Sequence, residues 1–193
     1  YDEFRRAVDR KREPRQSKPH SMTRLKDGRP GLLLDIGSVG NLCGSETAKE
    51  LAATAMRHGA QPEQLVRQQI LSVSGVGNGS QFCRHNCRIP IALATLAGNT
   101  KGANYEAPLV PDSQLPPLLG LDTCQRLRAV IDCNTLQLHL LGQSEYHLQE
   151  GMPSGTITIQ LEKAPSGHLI IPCDNYQGLK EPGIKSADNM TLM

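Results

Sequence analysis

The sequence predicts a mainly β fold with one or two short helices, and three observations support this. Short apolar runs recur along the chain, each bounded by Gly, Pro, Asn or Asp, as in short strands joined by turns. Only two stretches have the spacing of apolar residues that a helix requires. The chain has no Trp and two Phe in 193 residues, so its core must consist mainly of Leu, Ile, Val and Ala.

The first predicted strand, residues 31–37, is apolar and contains Asp35, and a turn rich in Gly and Ser follows it. A helix is predicted over Ser45–Gly59, because Ser45 suits the N-cap and Gly59 suits a C-terminal stop. The helix has one narrow apolar face, formed by Ala48, Leu51, Ala52, Ala55 and Met56.

A predicted strand over Gln69–Val73 leads into a glycine-rich stretch. Three of the five residues Gly75–Gly79 are glycine, which predicts a hairpin tip with positive φ angles. The alternatives are an ordinary β-turn or a phosphate-binding loop, although the stretch lacks the GxxxxGK[ST] pattern. The next predicted elements are a strand over Ile89–Leu96, a turn over Gly98–Gly102 and a strand over Tyr105–Val110.

A second informative block follows at residues 115–140, where an apolar run ends at Asp122. Asp122 is suited to cap a short helix over residues 123–128, with Gln125 three residues later as in a capping box. Four further stretches have the apolar pattern of short strands: Ala129–Ile131, Thr135–Leu140, Thr156–Leu161 and residues 168–173.

Charge and composition predict four segments. Residues 1–30 hold ten Lys/Arg and five Asp/Glu, so residues 1–28 are expected to form a basic, flexible leader. An alternative role for residues 1–20 is weak contact with nucleic acid through phosphates. The folded domain is predicted over residues 29–142, a β-rich extension over 143–176 and a disordered tail over 177–193.

The cysteines and the apolar runs argue against several functional classes. The six cysteines are scattered without a CxxC pair, and the spacing of Cys83 and Cys87 fits neither a zinc finger nor a zinc knuckle. We therefore expect free thiols, no metal and no cofactor. No apolar run approaches the ~20 residues that span a bilayer. We expect an intracellular, cytoplasmic protein without a membrane partner.

Three blocks occur in a fixed order: an apolar strand ending in Asp35-Ile36-Gly37-Ser38, the glycine-rich stretch Gly75–Gly79, and LLGLD followed by AVID. Their order and spacing, over residues 31–140, resemble the retroviral-type aspartic proteases (retropepsins), especially those of retrotransposon polyproteins. The resemblance implies a small closed β-barrel of the acid-protease type. It also implies a homodimer, because each retropepsin subunit supplies one catalytic aspartate.

The resemblance assigns roles by position. It implies that Asp35 is catalytic and that Gly120 forms a structural turn beneath the active-site loop. The two Asp35 carboxylates of a dimer would share one proton and activate a water. A peptide or polyprotein substrate would bind as an extended strand under a flap. The implied active-site loop is Ile36, Gly37 and Ser38, and the implied flap is Gly75, Val76, Gly77, Asn78 and Gly79.

The sequence departs from the family at Ile36, where the family has Thr or Ser. In the family that hydroxyl bonds to backbone groups across the dimer, and its loss is expected to cost about 1–3 kcal/mol per subunit. Two hypotheses follow. One is an active aspartic endopeptidase of a retrotransposon-type polyprotein, and the other is a catalytically degenerate module for dimerisation or peptide binding. A second departure replaces the family's ion pair by Val39 and Leu121, which leaves no unpaired buried charge.

Overall fold

The computed structural model describes residues 25–75, 79–143 and 147–173. The chain divides into two compact units, Tyr1–Gln143 and Ser144–Met193. Most of the predicted basic leader, with the nucleic-acid contact at residues 1–20, lies outside the described residues, as does the predicted disordered tail at 177–193.

The described part of the first unit contains eight strands and two helices. Its strands are β1 (Leu33–Asp35), β2 (Cys43–Gly44), β3 (Glu63–Val73), β4 (Gln81–Ala94), β5 (Thr100–Val110), β6 (Leu118–Gly120), β7 (Ala129–Asp132) and β8 (Gln137–Leu140). Its helices are α1 (Ser45–Arg57) and α2 (Leu121–Arg126). The prediction of a mainly β fold with one or two short helices is confirmed.

The main sheet has four strands in the order β2-β5-β4-β3. β2 runs parallel to β5, whereas β5, β4 and β3 are antiparallel neighbours. β1 pairs in parallel with β6, and β7 forms a hairpin with β8. The predicted closed barrel is wrong for this chain. Closure requires one continuous ladder of strands, but the described strands form an open sheet and separate pairs.

The core lies between α1 and the four-stranded sheet. α1 contributes the buried residues Ala48, Leu51 and Ala55, as predicted, but Met56 is 58% exposed and does not belong to this face. The sheet contributes Cys43, Cys87, Ile89, Tyr105 and Ala107. A second buried cluster consists of Cys83, Val110, Leu115 and Leu118. All six cysteines are free thiols, and four of them are buried.

The N-caps of the two helices lie one and two residues before the predicted ones. Gly44, not Ser45, is the N-cap of α1, and Gly120, not Asp122, is the N-cap of α2. Neither cap makes a side-chain hydrogen bond, so the predicted capping by Ser45 and by Asp122 is wrong. Each helix begins directly after a strand, and the last residue of that strand is a glycine in both cases.

Several strand boundaries also differ from the prediction, because pairing with a neighbour determines where a strand ends. The first strand is limited to Leu33–Asp35, the residues that pair with β6. Gly102 lies within β5 and pairs with Ala92, so it is not part of a turn. Thr135 belongs to the β7–β8 turn, because its N–H and its hydroxyl both donate to the Asp132 carboxylate.

The described part of the second unit, residues 147–173, contains a 3₁₀ turn at Leu148–Gly151 and a short antiparallel hairpin. The hairpin joins β9 (Glu162–Lys163) to β10 (Leu169–Ile170). The predicted strand over Thr156–Leu161 is wrong, because that segment has no strand partner among the described residues. In the described parts of both units, no helix combines the length and the hydrophobicity needed to cross a bilayer.

Candidate active site

Asp35 lies at the carboxyl end of β1, level with Gly120 at the carboxyl end of β6. The two parallel strands align Leu33 with Leu118 and Asp35 with Gly120, so both strands end at the same place. The Asp35 side chain is half-buried in a single chain. This pairing brings the first and third sequence blocks together.

The turn after Asp35 orients its carboxylate. The Gly37 N–H donates to Asp35 Oδ1 (N···O 3.0 Å), and the Ser38 N–H donates to the Asp35 carbonyl oxygen (3.1 Å). A Cβ atom at Gly37 would lie 3.2 Å from Asp35 Oδ1 and would crowd the carboxylate. Ile36 occupies the outer part of this turn and is 51% exposed. The turn therefore presents one oriented carboxylate beside an exposed aliphatic side chain.

The first turn of α2 is hydrogen-bonded to the loop that follows Asp35. The N–H of Leu121 donates to the carbonyl oxygen of Ser38 (2.8 Å), and the N–H of Asp122 donates to that of Val39 (2.9 Å). These N–H groups belong to the first turn of a helix, where no intrahelical acceptor exists for them. The loop thus satisfies donors that α2 would otherwise leave unpaired.

Gly120 permits the close approach of the two backbones. A Cβ atom at this position would lie 2.3 Å from the carbonyl oxygen of Gly40 and 2.4 Å from its carbonyl carbon. Both are backbone atoms and cannot move aside in the way that a flexible side chain can. A glycine is therefore required at position 120 for this geometry, whatever the chemistry of the site.

Asn41 positions the candidate site, a role that the sequence did not indicate. Its Oδ1 accepts hydrogen bonds from the Gly120 N–H (2.8 Å) and from the Thr123 hydroxyl (3.1 Å). Its Nδ2 donates to the carbonyl oxygen of Glu106 on β5 (2.9 Å). Asn41 therefore joins the Asp35 loop, the start of α2 and the main sheet through one side chain.

Tyr105 makes a second link of this kind. Its hydroxyl lies 2.8 Å from the carbonyl oxygen of Leu42 and 3.0 Å from that of Leu118, and the residue is 2% exposed. Burial raises the pKa of the Tyr105 hydroxyl, so it remains a neutral donor. A buried hydroxyl without partners would be costly, and these two carbonyls remove that cost.

The glycine-rich stretch connects β3 to β4, and the last pair of that ladder is Val73 with Gln81. Gly75 and Gly79 have φ angles of 86° and 80°, as predicted for a hairpin tip. Val76, Gly77 and Asn78 lie outside the described residues. The hairpin belongs to the four-stranded sheet, whereas the Asp35 loop belongs to the β1–β6 pair.

Asp27 also precedes a glycine, but its environment differs from that of Asp35. Its carboxylate accepts hydrogen bonds from the backbone and side chain of Arg29, and the two side chains form an exposed ion pair. Arg29 holds the pKa of Asp27 below its ordinary value. No group of three or more His, Cys, Asp or Glu side chains in the described residues is arranged to hold a metal ion.

Comparison with known proteins gives similarity at the level of the fold. No family model and no curated protein matches the chain. The chain is similar to the solved structure of the retroviral protease-like domain of Ddi1 from Leishmania major. The similarity has 21% sequence identity and a TM-score of 0.35, and it covers 57% of this chain and 77% of that chain. It concerns the fold alone.

Proposed function

We propose that the chain is an aspartic endopeptidase of the retropepsin kind that acts as a homodimer, each copy supplying Asp35. One observation carries the proposal. The Asp35 carboxylate lies at the end of β1, level with Gly120, with the Gly37 N–H on its Oδ1. General acid–base catalysis requires a carboxylate that is both held in position and accessible, and this one meets both requirements.

A second copy is needed because peptide hydrolysis by carboxylates requires one base and one acid. Two Asp35 groups brought together would share one proton, since two negative charges at contact distance oppose each other. Leu34 and Ile36 flank the carboxylate and are 37% and 51% exposed. These side chains supply apolar surface that a second copy would remove from water.

The proposed reaction needs only water as co-reactant. The ionised Asp35 takes a proton from a water whose oxygen attacks the peptide carbonyl carbon. The protonated Asp35 of the other copy gives its proton to the carbonyl oxygen. Collapse of the tetrahedral intermediate breaks the C–N bond, and the amine leaves with the proton that the water had lost. One hydroxyl proton of the intermediate returns to the Asp35 that had protonated the carbonyl oxygen, which restores the pair. The products are one carboxylic acid, which ionises in water, and one amine.

The proposed substrate is a polypeptide in extended form, bound beneath the hairpin turn at Gly75–Gly79. An extended strand presents its backbone groups for hydrogen bonds and its side chains to alternating pockets. We place this substrate in a longer precursor polyprotein of the retrotransposon type.

Replacement of Asp35 by Asn tests the proposal, because Asn has the same shape but cannot exchange a proton. We expect Asp35→Asn to lower the cleavage of a peptide library at least about 100-fold. Asp27→Asn is the matched control, since Asp27 also precedes a glycine but is held in an exposed ion pair with Arg29. Full cleavage by Asp35→Asn would overturn the proposal, and so would cleavage by a protein that sediments only as a monomer.

A second candidate function is a catalytically degenerate module that dimerises or binds peptides. The exposed Ile36 favours it, because a side chain without a hydroxyl stands where the family has a hydrogen-bonding one. This candidate predicts that the unaltered chain and Asp35→Asn bind extended peptides equally well and that neither cleaves them. Cleavage by the unaltered chain alone would exclude it.

A further inference from the structure

Residues Thr156–Leu161, with the sequence TITIQL, have the residue pattern of a strand but do not belong to one. Apolar and polar residues alternate, which is typical of a strand with one buried face. The segment is nevertheless assigned to no strand, and no partner strand for it occurs among the described residues. A strand-forming sequence is thus present without a ladder.

The apolar side chains of the segment are exposed. Ile157, Ile159 and Leu161 are 69%, 47% and 40% exposed, and their spacing places all three on one side of an extended backbone. Three aliphatic residues left in water at alternate positions are costly, and the cost is removed when another surface covers them. The segment is therefore suited to binding as a strand.

Most of the segment's backbone also makes no hydrogen bond among the described residues. No backbone–backbone hydrogen bond there has its donor or acceptor within Ile157–Leu161, and the Leu161 carbonyl oxygen accepts the exposed side-chain amide of Gln160 (3.1 Å). The segment lies between a turn in which the Thr156 N–H donates to the Pro153 carbonyl (3.2 Å) and the β9–β10 hairpin. β5 differs in this respect, because it has a partner strand on each side.

A protease that binds its substrate as an added strand needs free N–H and C=O groups on that substrate. Such a protease cannot reach β5 without first breaking hydrogen bonds to β2 and β4. It can reach residues 156–161 at little cost, because no described ladder has to open. Alternate aliphatic side chains on one face would then occupy alternate pockets of the binding cleft.

We propose that the peptide backbone within Thr156–Leu161 is a cleavage site for a second copy of this chain. This inference rests on the proposed function, since it names a substrate of the Asp35 site. Water adds across one peptide bond of the segment, giving a new carboxylate on the N-terminal fragment and a new amine on the C-terminal fragment. Cleavage separates residues 25–143 from the β9–β10 hairpin.

The test uses the full 193-residue Asp35→Asn chain as substrate and the unaltered chain as enzyme. Intact-mass measurement of the fragments is expected to place the cut between residues 156 and 161. In the substrate chain, Ile159→Asp is expected to slow this cut about tenfold or more, because a carboxylate replaces an apolar side chain at the binding cleft. Ile170→Asp is the matched control, since Ile170 is 50% exposed but paired in β10, and it should leave the rate unchanged.

Four outcomes would overturn the inference. One is cleavage of a peptide library while residues 156–161 stay intact, which leaves the proposed function standing. Equal slowing by Ile159→Asp and Ile170→Asp is the second, because the segment would then not be recognised by its own side chains. The third is cleavage of the Asp35→Asn chain without added enzyme. The fourth is cleavage of neither the chain nor the library, which overturns the proposed function as well.

Discussion

Asn41 and Gly120 are 79 residues apart in sequence, and the side-chain Oδ1 of Asn41 accepts the backbone N–H of Gly120 at 2.8 Å. The same oxygen accepts the Thr123 hydroxyl, and the Asn41 amide donates to Glu106. One side chain therefore fixes the end of β6, the first turn of α2 and the main sheet relative to the loop that carries Asp35.

Asn41→Ala removes all three hydrogen bonds. The part-buried Gly120 N–H then loses its acceptor, so the free energy of unfolding is expected to fall by about 1–3 kcal/mol. Urea unfolding measures this. Thr123→Val removes only one of the bonds and keeps a β-branched side chain, so its effect should be smaller. A larger loss for Thr123→Val than for Asn41→Ala would contradict the central role of Asn41.

Gly120→Ala introduces a methyl group where a Cβ atom would lie 2.3 Å from the Gly40 carbonyl oxygen. Because the atoms that the methyl group meets belong to the backbone, the overlap can be relieved only by a shift of the backbone. We therefore expect the free energy of unfolding to fall by about 1–3 kcal/mol or more. Gly102→Ala is the matched control, because a Cβ atom there would meet nothing within 4 Å. Equal urea midpoints for the two variants would show that the close approach of the loops is not needed.

Tyr105→Phe deletes a hydroxyl that lies on two carbonyl oxygens and should cost about 1–2 kcal/mol at neutral pH. The variant should also change the response to alkali. Above a pH of about 10 the tyrosine of the unfolded chain loses its proton, whereas burial raises the pKa of Tyr105 in the folded chain. The free energy of unfolding therefore falls as pH rises, by about 1.4 kcal/mol per pH unit for this group.

In Tyr105→Phe the part of this fall that Tyr105 contributes should be absent. The part from the buried thiols of Cys43, Cys83 and Cys124 should remain, because the pKa values of these thiols are also raised. Urea unfolding between pH 9 and pH 11 measures the difference. Identical pH slopes for the two proteins would contradict the assignment.

Ile36→Thr introduces a hydroxyl beside Asp35, where the proposed homodimer would bring the two copies together. A new hydrogen bond in each subunit should strengthen self-association about tenfold or more. Ile36→Val is the matched control, because valine has the shape of threonine without its hydroxyl. Sedimentation equilibrium gives the dissociation constants. If Ile36→Thr and Ile36→Val associate equally, the hydroxyl has no role in this chain.

The sequence predicted several local features of the fold. The placement of Asp35 between an apolar strand and a Gly/Ser turn, the first helix, and the positive φ angles of Gly75 and Gly79 all follow from neighbouring residues. Such features depend on turn chemistry and short-range periodicity, which a single sequence displays directly.

The links between distant segments could not be predicted in this way. Asn41 follows a glycine in a polar turn, and nothing nearby indicates acceptors and donors 65 to 82 residues away. Tyr105 looked like an ordinary strand residue, although its hydroxyl joins Leu42 to Leu118. Alternation alone also misassigned residues 156–161, because a strand needs a partner as well as a pattern.

Two of the hydrogen bonds between the Asp35 loop and α2 join main-chain atoms: Leu121 N–H to the Ser38 carbonyl, and Asp122 N–H to the Val39 carbonyl. The side chains at these four positions are therefore not what sets the spacing between loop and helix. Of the four, Asp122 is exposed, so its side chain can change without displacing the carboxylate. Leu121 is 3% exposed and Gly120 has no room for a Cβ atom, so packing restricts these two positions even though the bonds themselves are made by the backbone.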